Sequence, residues 1–167
     1  MQTLTEENYL KAIFKLSQAS LQKVTPTAIA EEMEVNAASV IDMIKKLKSK
    51  KLIQYDKTKG AKLTAKGQEA AISIVRKHRL WEVFLKEKLG YTWDEVHDIA
   101  EQLEHIKQND LADRLDKFLG FPEYDPHGDP IPKQNGRIQE VSRVTLLGAQ
   151  IEKNYQVVAV KDSSKAF

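Results

Sequence analysis

Tyr9, Leu10, Ile13, Phe14 and Leu16 recur with a helical period across residues 5–18, with Thr5 placed as the N-cap and acids in the first turn. Thr25-Pro26 opens a second helix, Thr as cap and Pro at the first helical position, which runs to about Met33 and buries Ile29, Ala30 and Met33. Glu34-Val35-Asn36 makes a tight turn into a third helix over Ala37–Ser49, whose inner side carries Val40, Met43, Ile44 and Leu47. Two short helices joined by a three-residue turn form a helix-turn-helix pattern. Leu52–Tyr55 and Ala61–Thr64 then alternate around the polar tip Asp56–Gly60, which predicts a β-hairpin, or wing.

Thr64, with Gly67 and Gln68 nearby, begins a long helix that reaches about Leu89 and stops at Gly90. Two more helices are expected, from Thr92 to about Gln108 and from Asp110 to about Leu119, the last stopped by Gly120 and Pro122. Residues 120–136 hold four of the five prolines and read as a linker. Beyond them, Val141–Leu147 and Val157–Val160 are β-branched stretches that look like strands, too short a segment to build a core of its own. The predicted fold is therefore mainly α: an N-terminal winged helix-turn-helix, a helical second domain, and a partial β segment or tail at the C-terminus.

Composition narrows the chemistry. Of 167 residues, 41% are apolar and 30% charged, and none is cysteine, which excludes disulfides, iron–sulfur clusters and thiolate zinc sites. The first residues lack a basic leader followed by an apolar stretch, and no apolar run nears the roughly 18 residues of a membrane span. A soluble, cytoplasmic protein with no membrane partner is expected.

The formal net charge of +2 hides an asymmetry. Residues 1–70 carry a net +4, residues 71–140 a net −4, and residues 43–66 hold nine lysines against the single acid Asp56. A basic front half fits a polyanion and an acidic rear half fits cations. In a winged helix-turn-helix the exposed side of the second motif helix enters the major groove of duplex DNA. Those positions here are Asn36, Ala37, Ala38, Ser39, Asp42 and Lys46. Asn36 and Ser39 offer hydrogen bonds to base edges or phosphates, and the small residues permit close approach. Lys45, Lys48, Lys50, Lys57, Lys59 and Lys62 would contact phosphates, which gives affinity but little sequence information. The bland alternative is a solvated lysine-rich surface; the agreement of helix spacing, turn and wing argues against it.

The rear half concentrates histidines among carboxylates. His97, Glu101, Glu104 and His105 fall at i, i+4, i+7 and i+8, within an arc of roughly 100° on one helix face. His78 and Glu82 form a further i, i+4 pair on the preceding helix. One such pair is usually an ordinary surface contact, and Glu82 could equally pair with Arg79 or Lys86; the repetition on two helices points to a metal. A nitrogen and oxygen donor set without sulfur suits Mn²⁺ or Fe²⁺, with Zn²⁺, Co²⁺ or Ni²⁺ also able to bind. No HExxH, nucleophile elbow or phosphate-cradling glycine loop occurs, so an enzyme is not expected.

Glu7-Asn8-Tyr9-Leu10, Arg76-Lys77-His78-Arg79-Leu80-x-Glu82, Val96-His97-Asp98 through Leu103-Glu104-His105, and Gly128-Asp129-Pro130-Ile131-Pro132 together resemble the diphtheria toxin repressor family of iron- and manganese-dependent regulators. The resemblance runs from about residue 4 to 147. It implies a homodimer with a winged-helix domain at 1–72 and a metal-binding dimerisation domain at 73–136, with 137–167 resembling part of an SH3-like β barrel. It maps an ancillary metal site onto His78, Glu82 and His97, and a primary site onto Glu101, Glu104 and His105 with a further ligand at Asn8 of the first helix. Glu101 stands where iron-responsive members have cysteine and manganese-responsive ones glutamate, which tilts the metal towards Mn²⁺. Asn8 stands where relatives place Met or Asp. Lys11 replaces a glutamate of the compact manganese regulators, which favours two separated sites. Asp125 and Asp129 stand where iron-type relatives have polar residues near an anion at the ancillary site, and a carboxylate is expected to replace that anion.

The resemblance thus implies a metal-dependent repressor that binds palindromic double-stranded operator DNA and controls metal-homeostasis genes. The competing readings are a constitutive winged-helix protein with a structural metal and, far behind, a metalloenzyme.

Overall fold

The computed structural model describes residues 2–19, 23–108, 110–139, 144 and 146–155. The chain divides into two compact units, Met1–Val75 and Arg76–Phe167.

In the first unit, helix α1 spans Leu4–Ala19. Its cap is Thr3, not Thr5. Thr3 Oγ1 accepts the Glu6 N–H at 3.3 Å while the Glu6 carboxylate accepts the Thr3 N–H at 3.1 Å. This reciprocal capping box satisfies two amides at once, and Thr5, with Asn rather than Glu or Gln three residues on, has no equal to it. Helix α2 is Pro26–Glu32, capped by Thr25, and α3 is Ala37–Ser49, capped by Asn36, whose Oδ1 accepts the Ser39 N–H at 2.8 Å. Strands β1 (Ile53–Asp56) and β2 (Gly60–Leu63) pair antiparallel with Ile53 opposite Leu63, and an isolated bridge from Val24 to Ala61 adds a rung that periodicity did not reveal. Leu10, Ile13, Ile29, Val40, Ile44, Leu47, Leu52 and Ile53 are buried and form the apolar interior that holds α3 in place.

Helix α4 is Ala65–Leu89, with Thr64 Oγ1 accepting the Gly67 N–H at 3.1 Å. The unit boundary falls within it. The second unit continues with α5 (Val96–Leu103) and α6 (Leu111–Phe118). Helix α5 is about half the expected length. Thr92 donates from both N and Oγ1 to Glu95 Oε2, which holds residues 92–95 in a turn, and at the far end Ile106 N–H bonds to Leu103 O. Glu104 is therefore the C-cap and His105 lies just past the helix, so the expected single helix face ends at Glu101 and the last two members sit in a turn.

Leu80, Val83, Ala112, Leu115 and Ile131 form one apolar cluster of this unit, and Leu85, Val96 and Ala100 another. Ile131 belongs to the segment expected to be a linker. That segment is a built loop: Asp125 N–H bonds to Asp129 O, Gly128 N–H to Asp125 O, and Tyr124 bridges to Pro130. The prolines stiffen it and do not detach it. In the C-terminal stretch the described residues contain a 3₁₀ turn at Leu146–Gly148 and no strand. Val157–Val160 and most of Val141–Leu147 lie outside the described residues. Among the described residues no helix is long and apolar enough to cross a membrane.

Candidate metal centre and nucleic-acid interface

The metal candidates other than Asn8 converge within the second unit. Their centre is one carboxylate oxygen, Glu82 Oε1, met by His78 Nε2 at 3.0 Å, His97 Nδ1 at 3.3 Å and His127 Nε2 at 3.5 Å. His78 and Glu82 share a face of α4 one turn apart, His97 comes from the first turn of α5, and His127 from the 120–139 loop. A carboxylate oxygen has two lone pairs for these three nitrogens. His127 Nε2 is buried, and its contact with Glu82 is the longest of the three, without hydrogen-bond geometry.

His78 also faces the other way. Its Nδ1 lies 2.6 Å from Glu104 Oε2, and Glu104 Oε1 is 3.6 Å from His105 Nε2. Glu101 Oε1 lies 3.8 Å from His97 Nε2, and His78, His97 and Glu101 each offer a ligand atom within 4.8 Å of the others. The second-unit residues assigned to an ancillary and a primary site thus form one connected cluster with His78 as the link, and Asn8, on α1 of the first unit, is not among them. Glu82 and Glu104 are fully buried at its floor, while the His97 side chain, 56% exposed, forms its rim.

Electrostatics follow from this packing. Burial works against a charge on Glu82, but the surrounding His127, His78 and His97 hold its carboxyl far below the ordinary carboxylate range. The same carboxylate raises the His127 pKa above its ordinary value. Burial and then the Glu82 charge push Asp125 up to about 6. Asp125 Oδ1 accepts the N–H groups of His127 and Asp129 at 2.9 and 2.8 Å, so its work in the loop is to aim His127. Asp125 and Asp129 also both face Arg79, at 3.4 and 3.7 Å, and Arg79 donates to Pro130 O at 2.6 Å. In the first unit, Asn8 Oδ1 is likewise buried without a hydrogen-bond partner.

His127 is the residue of this cluster that periodicity missed. It stands alone in sequence, in Asp125-Pro126-His127-Gly128-Asp129, with no helical neighbour to mark its direction. The one signal available was the turn chemistry around it, an Asp followed by Gly128 at φ +82°.

The residues expected to meet DNA lie on the first unit. Asn36, Ala37, Ala38, Ser39, Asp42 and Lys46 are all exposed along α3. Asn36 already spends its oxygen on the α3 cap, which leaves its amide N–H groups for a ligand. Asp42 pairs with Lys45 at 2.9 Å, which screens the acid on this surface. Lys57 and Lys59 are exposed at the wing tip, whose turn is fixed by Asp56 Oδ1 accepting from Thr58 and Lys59 N–H. Lys46 and Lys50 are tied to Glu6, at 3.0 and 2.7 Å.

The family model "Iron dependent repressor, N-terminal DNA binding domain" matches residues 1–61, and "Iron dependent repressor, metal binding and dimerisation domain" matches residues 64–133. The iron-dependent repressor IdeR of Mycobacterium leprae is 36% identical over 130 residues, 77% of this chain and 55% of that protein. The chain therefore spans little more than half the length of this curated relative. Among solved structures, a manganese-dependent transcriptional repressor in complex with manganese is 43% identical at a TM-score of 0.76, covering 81% of this chain and 62% of that one. The structure of ScaR with bound Cd²⁺ is 37% identical at a TM-score of 0.77, covering 95% and 74%. A winged, lysine-faced first unit, a histidine–carboxylate cluster in the second, and matches to both domains in their order together make this chain a member of the iron-dependent repressor family.

Proposed function

We propose that this protein is a Mn²⁺- or Fe²⁺-responsive repressor that binds a palindromic operator as a homodimer and controls metal-homeostasis genes. The observation that carries the reading is the convergence of His78, His97 and His127 on one buried oxygen of Glu82, in a chain whose other unit presents a winged helix lined with lysines. His78, Glu82, His97 and His127 would hold one ion, and Glu101, Glu104 and His105 would supply donors on the other side of His78. The buried, unpartnered Asn8 Oδ1 is the donor available from α1. The donor set fits: imidazole nitrogen and carboxylate oxygen suit Mn²⁺ and Fe²⁺, and Zn²⁺, Co²⁺ or Ni²⁺ would also bind in vitro. A bound dication would supply positive charge beside the two buried carboxylates, Glu82 and Glu104.

The regulatory logic is a population shift. A metal that binds the DNA-competent arrangement more tightly than the alternatives raises its share by that difference in affinity, and no further. Asn36, Ser39 and Lys46 then read or grip the major groove, with Lys57 and Lys59 on the flanking backbone. The apolar surface around Phe118 and Phe121, 64% and 60% exposed, is the face proposed for the second copy. A cytoplasmic location follows from a DNA partner.

The test is a metal titration against an operator obtained by selection from random duplexes. Mn²⁺ or Fe²⁺ is expected to tighten binding and chelation to reverse it. Full operator binding after chelation would identify instead a constitutive winged-helix protein with a structural metal.

A further inference from the structure

The Glu6 side chain is fully buried, although it sits on the first turn of α1 among polar residues. Its two oxygens receive Lys50 Nζ at 2.7 and 2.8 Å, Lys46 Nζ at 3.0 Å and the Thr3 N–H at 3.1 Å. One carboxylate therefore caps α1 and grips the last turn and C-cap of α3. The side chains of both lysines stay partly open, 48% for Lys46 and 37% for Lys50. An ammonium has three donors, so each lysine keeps N–H groups to offer outward while its position is set from below.

We propose that Glu6 is a positioning residue for DNA binding: it fixes Lys46 and Lys50 at the C-terminal end of α3 and leaves that end with one net positive charge instead of two mobile ones. The inference rests on the DNA-binding reading above. Two adjacent ammoniums without Glu6 would repel each other and swing out independently, each free to neutralise a backbone phosphate. With Glu6 between them, the pair meets DNA as a single preset cationic patch. Such an arrangement limits sequence-independent attraction, which grows with each phosphate neutralised, and holds α3 to one orientation on α1.

The test uses the full chain with Mn²⁺ and a random-sequence duplex of about two helical turns. Affinity is followed by fluorescence anisotropy between about 50 and 200 mM salt. Glu6→Gln is expected to strengthen binding several-fold at the low-salt end and to steepen the slope of log K against log salt by about one. Lys50→Met, which leaves Glu6 paired with Lys46, is expected to flatten the slope by about one. The double variant restores the charge count and should return to the wild-type slope, even if Glu6→Gln alone folds poorly. A merely structural Glu6 would change the melting temperature and leave the slopes of the folded variants equal, and that result overturns the proposal. A wild-type protein with no salt-dependent duplex affinity would sink the DNA-binding reading itself, a separate and recognisable failure.

Discussion

His78 Nδ1 lies 2.6 Å from Glu104 Oε2, and through the opposite edge of the same ring His78 reaches Glu82. One imidazole thus joins two buried carboxylates that come from different elements, α4 and the turn after α5. Both ring nitrogens are thus engaged by carboxylates. Any ion that takes a nitrogen of His78 must break one of these contacts.

Glu104→Ala should therefore weaken Mn²⁺ binding although most of the other donors remain. Loss of an outer partner that orients a ligating histidine typically costs about 10–100-fold in affinity. Isothermal calorimetry on the variant measures it directly. Affinity equal to wild type would detach Glu104 and its link to His78 from the metal site.

Proton release gives a second expectation. The Glu82 carboxylate raises the His127 pKa above its ordinary 6.5, so near neutral pH this nitrogen holds a proton longer than a solvated imidazole does. A proton that favours the metal-free state must leave for His127 to ligate, so Mn²⁺ affinity should climb as pH rises beyond about 6.5 and level off once the ring is neutral. Titrations in two buffers of different ionisation enthalpy count the protons expelled. His127→Gln should expel fewer; an unchanged count would remove His127 from the ligand set.

Glu6 predicts the acid limb of stability. Burial alone would raise its pKa, but hydrogen bonds from Lys50 and Lys46 outweigh that and hold it at about 2, against an ordinary value of 4.5. A depressed carboxylate stabilises the folded state at pH above its unfolded pKa and loses that contribution as pH falls through the folded one. Wild type should exceed Glu6→Gln by roughly 1–3 kcal/mol at pH 7, and the gap should close between about pH 4.5 and 2. Urea denaturation at several pH values reads the difference. A gap that persists at pH 2 would mean that the Glu6 charge is not its source.

The same residue shows what periodicity reads and what it does not. Apolar spacing located α2, α3 and the hairpin within a residue or two, because burial of Ile29, Val40, Ile44 and Leu47 is a local, repeating demand. Caps were harder: Thr3 and Thr5 both precede helical sequence, and only the reach of Glu6 back to Thr3 separates them. The shortened α5 has the same cause, a Thr92–Glu95 contact that competes with helix for the same backbone. His127 was illegible for a different reason. Its partner Glu82 is 45 positions away, and its aim depends on the fold of a loop that composition alone marks as a linker.

Gly67 connects the hairpin to α4 at close quarters. A Cβ built there would lie 1.9 Å from the carbonyl oxygen of Leu52, a backbone atom already bonded to Thr64 N–H and unable to swing away. Gly67→Ala should destabilise the first unit by roughly 1–3 kcal/mol or more, the cost of overpacking against rigid backbone. The helix propensity of alanine would argue for stabilisation by about 1 kcal/mol, so the sign of the change decides between the two effects. A thermal melt that rises on substitution would show that the hairpin and α4 part readily.

Phe118 carries the last prediction. Its ring is 64% exposed at the end of α6, beside Phe84 at 6.1 Å and beneath the ammonium of Lys88 at 6.0 Å, and Phe121, three residues on in the chain, is held at φ +60°, a costly conformation for a bulky residue. Covering an aromatic side chain returns about 1.5–3 kcal/mol, and two such residues on each copy would make a substantial part of a symmetric interface. Phe118→Glu should convert the proposed dimer to a monomer in sedimentation equilibrium and leave the circular dichroism melt of the monomer cooperative, because the ring contributes little to the interior of its own unit. Operator affinity should fall with it, since two half-sites are then read by separate molecules. A variant that remains dimeric at micromolar concentration would place the interface elsewhere on this unit.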